Sequence, residues 1–245
     1  IKECDWSSDV CSSDLKQTAE LRARGTALMK AGRRRLQQLL ALGETVERRS
    51  LLGSYWKRLT QAGVAQGNIT EADTWLSNLE SEYWQAAELS YRRTGSWDYY
   101  PLLNALDAAF VLAVRGRRER FDQLLPQLPG LLAAAADNGR SRFAENRQFF
   151  HALAEVEAER VNGLWACLDG RTHQALTADG ELQRLIGLYH GLFTRLGSGR
   201  EQDSTANQLR FLIALLPQEE PHAVIRASLQ RLAEGMASDP AAPPA

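Results

Sequence analysis

His151, Glu155 and Glu159 recur at four-residue spacing, which on a helix sets an imidazole and two carboxylates along one face. Such donors can hold zinc, but a zinc site takes three or four protein ligands and an outer layer of hydrogen bonds. Neither Cys167 nor His173 falls at a spacing that completes the set. The solvated face of an amphipathic helix is the preferred reading, and no metal is expected. Cys167 has His173 six residues on, a pairing that thiol catalysis could use if the base lowered the thiol pKa in an open pocket. It lies between Ala166 and Leu168 at the end of an apolar stripe, where a cysteine serves as packing. No phosphate-binding glycine loop, nucleophile elbow or His-Glu-x-x-His motif occurs. The expectation is a non-enzymatic protein with no cofactor.

Cys4 and Cys11 invite a second metal or disulfide reading, but the segment that carries them does not read as native. Asp5 to Leu15 matches, residue for residue, the translation of a common sequencing-library adapter, and the chain has no starting methionine. Residues 1–15 are therefore set aside as a non-native, disordered stretch, and the chain is read as a fragment of a longer bacterial protein from an environmental assembly. Without them Cys167 is the one cysteine left, which excludes an internal disulfide and fits a reducing cytoplasm. The formal net charge moves from −1 to +2, too close to neutral for a wholesale polyanion binder. No apolar run approaches the ~18 residues that span a bilayer, so no membrane partner is expected.

Two groups of residues suggest recognition. The first is a basic stripe of Lys16, Arg22, Arg24, Lys30, Arg33, Arg34 and Arg35, accompanied by the single acid Glu20. Phosphates favour such a stripe through counterion release. Its charges are spread around the helix, though, and it has no aromatic residues for base stacking, so nucleic acid is disfavoured against a protein contact. The second is the aromatic cluster Trp75, Tyr83, Trp84, Tyr91, Trp97, Tyr99 and Tyr100. Exposed members would anchor a protein interface; the alternative is packing between helices. Trp75, Trp84, Trp97, Tyr99, Tyr100, Arg22, Arg24, Arg33, Arg34 and Arg35 are the candidate protein-binding residues.

The elements that must position these residues are helices throughout, with apolar residues at helical spacing and no alternating strand. The pattern predicts about nine helices in one domain over 16–236, followed by a disordered Pro/Ala-rich tail over 237–245. The first covers about 16–42. Thr45 caps the second, which carries Leu52, Tyr55, Trp56 and Leu59 and ends at a flexible Gly63–Gly67 break. A capping box at Thr70–Asp73 opens the third, which runs to about Gly95. The fourth, Leu102 to Val114 with Pro101 in its first turn, is apolar on nearly every side and should be the most buried. Pro126 and Pro129 kink or split the fifth, and Asn138-Gly139 ends it. The sixth, about 143–168, buries Phe150, Leu153, Val161, Leu164 and Leu168. Asp179 caps the seventh, whose apolar face from Leu182 to Leu196 is the cleanest in the chain. An eighth spans about 204–216, and a ninth uses Val224, Ile225, Leu229, Leu232 and Met236.

Antiparallel helix pairs with short connections suggest an α-solenoid. Glu47 to Leu59 is similar to the first helix of a tetratricopeptide repeat (TPR): the Leu52-Gly53 step lets the paired helix approach, and Trp56 follows. Together with Tyr91-Arg-Arg93 and Tyr99-Tyr-Pro-Leu-Leu-Asn-Ala105, residues 45–120 resemble bacterial TPR proteins related to the TRAFs-binding regulatory region of stress-kinase kinases. The resemblance reaches 140–236 only through helical character. It implies an all-α, TPR-like solenoid acting as a protein-binding scaffold beside a signalling or effector domain. Two alternatives stand beside it: a regulatory segment that binds a small molecule or nucleotide in its concave face, and nucleic-acid binding through the N-terminal basic helix. A polar pocket with convergent side chains would favour the small-molecule reading.

Overall fold

A computed structural model describes residues 24–25 and 27–237. The adapter-like segment, Lys16, Arg22 and the tail from 238 lie outside the described residues. Those described are helical and turn segments with no strand. The first helical stretch, α1, covers 27–41. It is followed by α2 (Val46–Ala65), α3 (Ile69–Thr94), α4 (Tyr99–Val114) and α5 (Glu119–Leu124). A 3-10 turn (Leu125–Gln127) leads to α6 (Leu128–Asn146), α7 (Phe149–Asp169), α8 (Asp179–Leu196), α9 (Gly199–Leu215) and α10 (His222–Ala237).

Local chemistry sets most of the boundaries. Thr45 Oγ1 accepts from the Arg48 N–H at 3.1 Å and starts α2. Gly95 and Gly170 end α3 and α7 in the left-handed conformation that costs glycine little. Pro126 and Pro129 divide the fifth predicted helix into α5, the 3-10 turn and α6. Asp98 accepts from the Tyr100 N–H at 3.0 Å and starts α4, in which every residue but Tyr100 and Asn104 is buried. Fully burying side chains such as Leu102, Leu106 and Phe110 stabilises by roughly 1.5–3 kcal/mol each, which makes α4 the axis of the molecule.

Four boundaries and one face differ from the sequence reading. Gly63 lies inside α2 with the Trp75 ring over it, so it admits a close contact and does not break the helix. The Thr70–Asp73 box does not form: α3 starts one residue before Thr70, behind Asn68. Asp179 sits in the first turn of α8 and pairs with Arg231 at 3.0 Å, while Ala178 takes the cap position. Asn138-Gly139 does not end α6, because Gly139 is buried against α7, where a Cβ would lie 2.4 Å from that of Ala154. On α7 the apolar face is displaced, leaving Phe150 exposed and His151 buried.

Successive helices pack as neighbours: α2 on α3, α3 on α4, α6 on α7, and α9 on α10. Three-residue and four-residue connections make the first two of these contacts antiparallel. Gly53 brings α2 against the Tyr83 ring of α3, where a Cβ would approach within 2.9 Å. The chain then folds back on itself. α9 reaches α2 and α4 across more than a hundred residues, and Arg115 at the end of α4 donates to the Leu215 carbonyl at 3.1 Å. One apolar cluster runs from Leu52 to Met236.

Candidate functional site

Four helices each turn one polar stripe toward a common groove. α2 contributes Ser54, Lys57, Arg58 and Gln61, an i, i+3, i+4, i+7 set. α4 contributes Tyr100, Asn104 and Asp107, so its two unburied residues both face the groove. α7 adds Phe150, Leu153, Glu157 and Arg160, and α9 closes the side with Ser204, Asn207 and Gln208. The half-open chamber measures about 540 Å³. A second, shallower chamber of about 500 Å³ lies beside it, lined by Glu47, Ser50, Pro101 and Arg142. Ser54, Tyr99 and Tyr100 line both, so the two chambers adjoin.

A buried charge network forms the floor. Arg160, whose side chain is 1% exposed, makes a two-pronged contact with Asp107 at 2.9 and 2.8 Å. Its Nε also donates to Glu157 Oε2 at 2.8 Å, and the Tyr189 hydroxyl donates to Glu157 Oε1 at 2.7 Å. Burial alone would lower the Arg160 pKa, but Asp107 and Glu157 hold it well above the ordinary arginine value. Gln208 reaches in from α9 with both ends of its amide engaged. Its Nε2 donates to Asp107 Oδ2 at 2.9 Å, and its Oε1 accepts from Lys57 Nζ. Lys57 is half-buried, with its ammonium 5.2 Å from the centre of the Phe211 ring. Burial brings its pKa down to about 8, against the opposing pull of Asp107. Arg58, at the exposed rim, donates to the neutral Gln61 at 3.1 Å. Among the lining residues three cations meet two carboxylates, leaving one positive charge in excess.

Where the chambers meet, the Tyr83 hydroxyl lies 2.9 Å from Ser54 Oγ and 3.3 Å from the Tyr100 hydroxyl. Tyr99 is buried and hydrogen-bonded to His151 Nδ1 at 2.9 Å. Burial, reinforced by Asp98, pushes the Tyr99 pKa up to about 12, and burial together with Arg142 lowers that of His151. His151 is thus held by Tyr99, while Glu155 pairs with Arg140 and Glu159 with Arg184. The three therefore have separate partners and do not converge on one ligand position. Among the described residues no group of three His, Cys, Asp or Glu side chains is placed to hold a metal ion. Cys167 donates to the Gly163 carbonyl at 3.2 Å, and burial raises its pKa, opposite to the shift a thiol nucleophile needs.

The nine described candidate residues from the sequence do not converge. Tyr99 and Tyr100 border the groove. Trp75 packs on Gly63. Trp84 and Trp97 belong to an outer ladder, with Tyr91 stacked on Trp97 at 4.8 Å, Trp97 5.7 Å from Trp84, and the Arg120 guanidinium 5.2 Å from Trp84. Arg24, Arg33, Arg34 and Arg35 are exposed on the first helical stretch, Arg33 lying 4.8 Å from the Trp56 ring. Lys57, Asp107, Glu157, Arg160 and Gln208 were not singled out. One signal could have found them: Asp107 is a lone carboxylate in an otherwise apolar helix, and a buried charge requires a partner.

No family model, curated protein or solved structure matches the chain. Among the described residues no helix is long and apolar enough to cross a membrane.

Proposed function

We propose that this chain is a non-enzymatic, TPR-like binding module that receives a segment of a protein, from a separate partner or from elsewhere in a longer chain, in the groove between α2, α4, α7 and α9. The adjacency of the two chambers at Ser54, Tyr99 and Tyr100 carries this reading, because it offers an extended segment successive pockets of different chemistry. The excess positive charge at Lys57 and Arg58 favours an acidic side chain or a terminal carboxylate in the deeper chamber. Phe150, 42% exposed at the rim, offers an apolar contact beside it. The Leu52-Gly53 approach onto Tyr83 supports the helix pairing that the tetratricopeptide resemblance implies.

Selection of displayed random peptides on the full chain tests the reading. Enriched peptides should carry an acidic residue, and R58E or Y100A should weaken them by about tenfold or more, equivalent to ~1.4 kcal/mol. The W84A/W97A double variant, which alters the outer ladder, should leave them unchanged. The opposite pattern would move recognition to the outer face. A small anionic molecule is the second reading, favoured by Gln61, Asn104 and Asn207 lining the same half-open chamber as Arg58.

A further inference from the structure

From residue 31 onward the chain uses 23 arginines and a single lysine, Lys57. That lysine is the one placed in the wall of the half-open chamber. The two side chains are not interchangeable there: a guanidinium stays charged, whereas an ammonium can surrender its proton and leave a nucleophilic amine. The contacts around Lys57 suit that change. Its hydrogen-bond partner is the neutral Gln208 amide and not a carboxylate. The nearby carboxylates are occupied, since Asp107 and Glu157 both hold Arg160, with Gln208 and Tyr189 taking further oxygens. Arg58 adds a cation on the same helix face, which both disfavours the protonated amine and supplies a site for an anion.

We propose that Lys57 is a covalent capture site for a small aldehyde or ketone bearing one anionic group. The neutral amine adds its lone pair to the carbonyl carbon to give a carbinolamine. Loss of one water, made of the former carbonyl oxygen and two protons, then leaves the imine. No oxidant or reductant enters, and hydrolysis reverses the reaction. Arg58 holds the anionic group, and the 540 Å³ chamber accommodates a molecule of metabolite size. The proposal goes beyond the groove reading and stands on the chamber alone, so the two can fail separately.

Reductive trapping tests it on the full chain. Limiting glyoxylate, pyridoxal 5′-phosphate or neutral propionaldehyde is added with borohydride, which reduces any imine to a stable secondary amine. The adduct is then mapped by mass over Lys2, Lys16, Lys30 and Lys57. A pKa of about 8 gives Lys57 a neutral fraction roughly 100-fold above that of an ordinary lysine, so its labelling should exceed that of exposed Lys30 by at least about tenfold. The preference for Lys57 should be larger with the two anionic probes, and R58Q should reduce it to that of propionaldehyde. K57R should remove the pocket adduct while leaving the Lys30 adduct and the helical circular dichroism unchanged. Equal labelling of Lys57 and Lys30 in the wild-type protein would overturn the proposal. So would a Lys57 preference shown by propionaldehyde alone, which would mean that no anion site exists.

Discussion

Arg160 and Lys57 face the same two carboxylates, yet the pocket holds their protons in opposite ways. Arg160 is locked as a cation between Asp107 and Glu157, its side chain only 1% exposed. Removing it with R160M leaves two buried carboxylates uncompensated, and urea denaturation should show a loss of roughly 3–5 kcal/mol. A loss below about 1 kcal/mol would mean that water or Lys57 takes over the role. Lys57 binds its proton less tightly in the folded protein than in the unfolded chain, where the ordinary value is 10.5. Unfolding therefore takes up a proton between about pH 8 and 10.5, and the stability linked to this group rises with pH across that window. The wild type should gain stability relative to K57M between pH 8 and 9.5, a range chosen to stay below tyrosine ionisation. A difference that stays flat would refute the shift. At this scale the sequence was least informative. His151, Glu155 and Glu159 have the right spacing but opposite fates, one buried and two ion-paired at the surface, because a single stripe can straddle the edge of a helix.

Helices were far more legible, since their apolar spacing is local and repeats many times. The buried character of α4, the division at Pro126 and Pro129, and the Thr45 cap all follow from residues close in sequence. Glycines were misread where their role depended on a helix not yet placed. Gly139 looks like a stop signal beside Asn138, but it is a point of close approach between α6 and α7. G139A would press a methyl group against Ala154 and the His151 carbonyl, and should cost about 1–3 kcal/mol in thermal or urea unfolding. Gly187 is the contrasting case: it is exposed in the middle of α8, with nothing within 4 Å of an added Cβ. G187A should stabilise by about 0.5–1 kcal/mol through helix propensity alone. Equal effects of the two substitutions would remove the distinction drawn between packing and punctuation.

Taken as a whole molecule, this chain departs from a simple stack of repeats, whose units touch only their neighbours. α9 contacts α2 and α4, and the Gln208 amide joins residues 57 and 107 from 151 and 101 positions away. Unfolding should accordingly be one cooperative transition. Tryptophan fluorescence senses Trp6, Trp56, Trp75, Trp84, Trp97 and Trp165, all upstream of α8, whereas far-ultraviolet circular dichroism senses every helix. Their urea curves should coincide in the wild type and separate in Q208A. Separate wild-type curves would show that α8 to α10 unfold independently. The long-range contacts also explain why the groove escaped a reading of the sequence: its four walls are each ordinary amphipathic helices, and only their return to one place makes a site.

The position of Gln208 has a consequence for the order in which the protein is made. A chain emerging from the ribosome presents α2, α4 and α7 first, and Asp107 can meet Arg160 once α7 has appeared. The last wall arrives only with α9, some fifty residues later. A product cut short after α7 would pair Asp107 with Arg160 but lack Tyr189 and Gln208, so the proposed groove would be incomplete. Binding in this groove would therefore report that synthesis has passed α9.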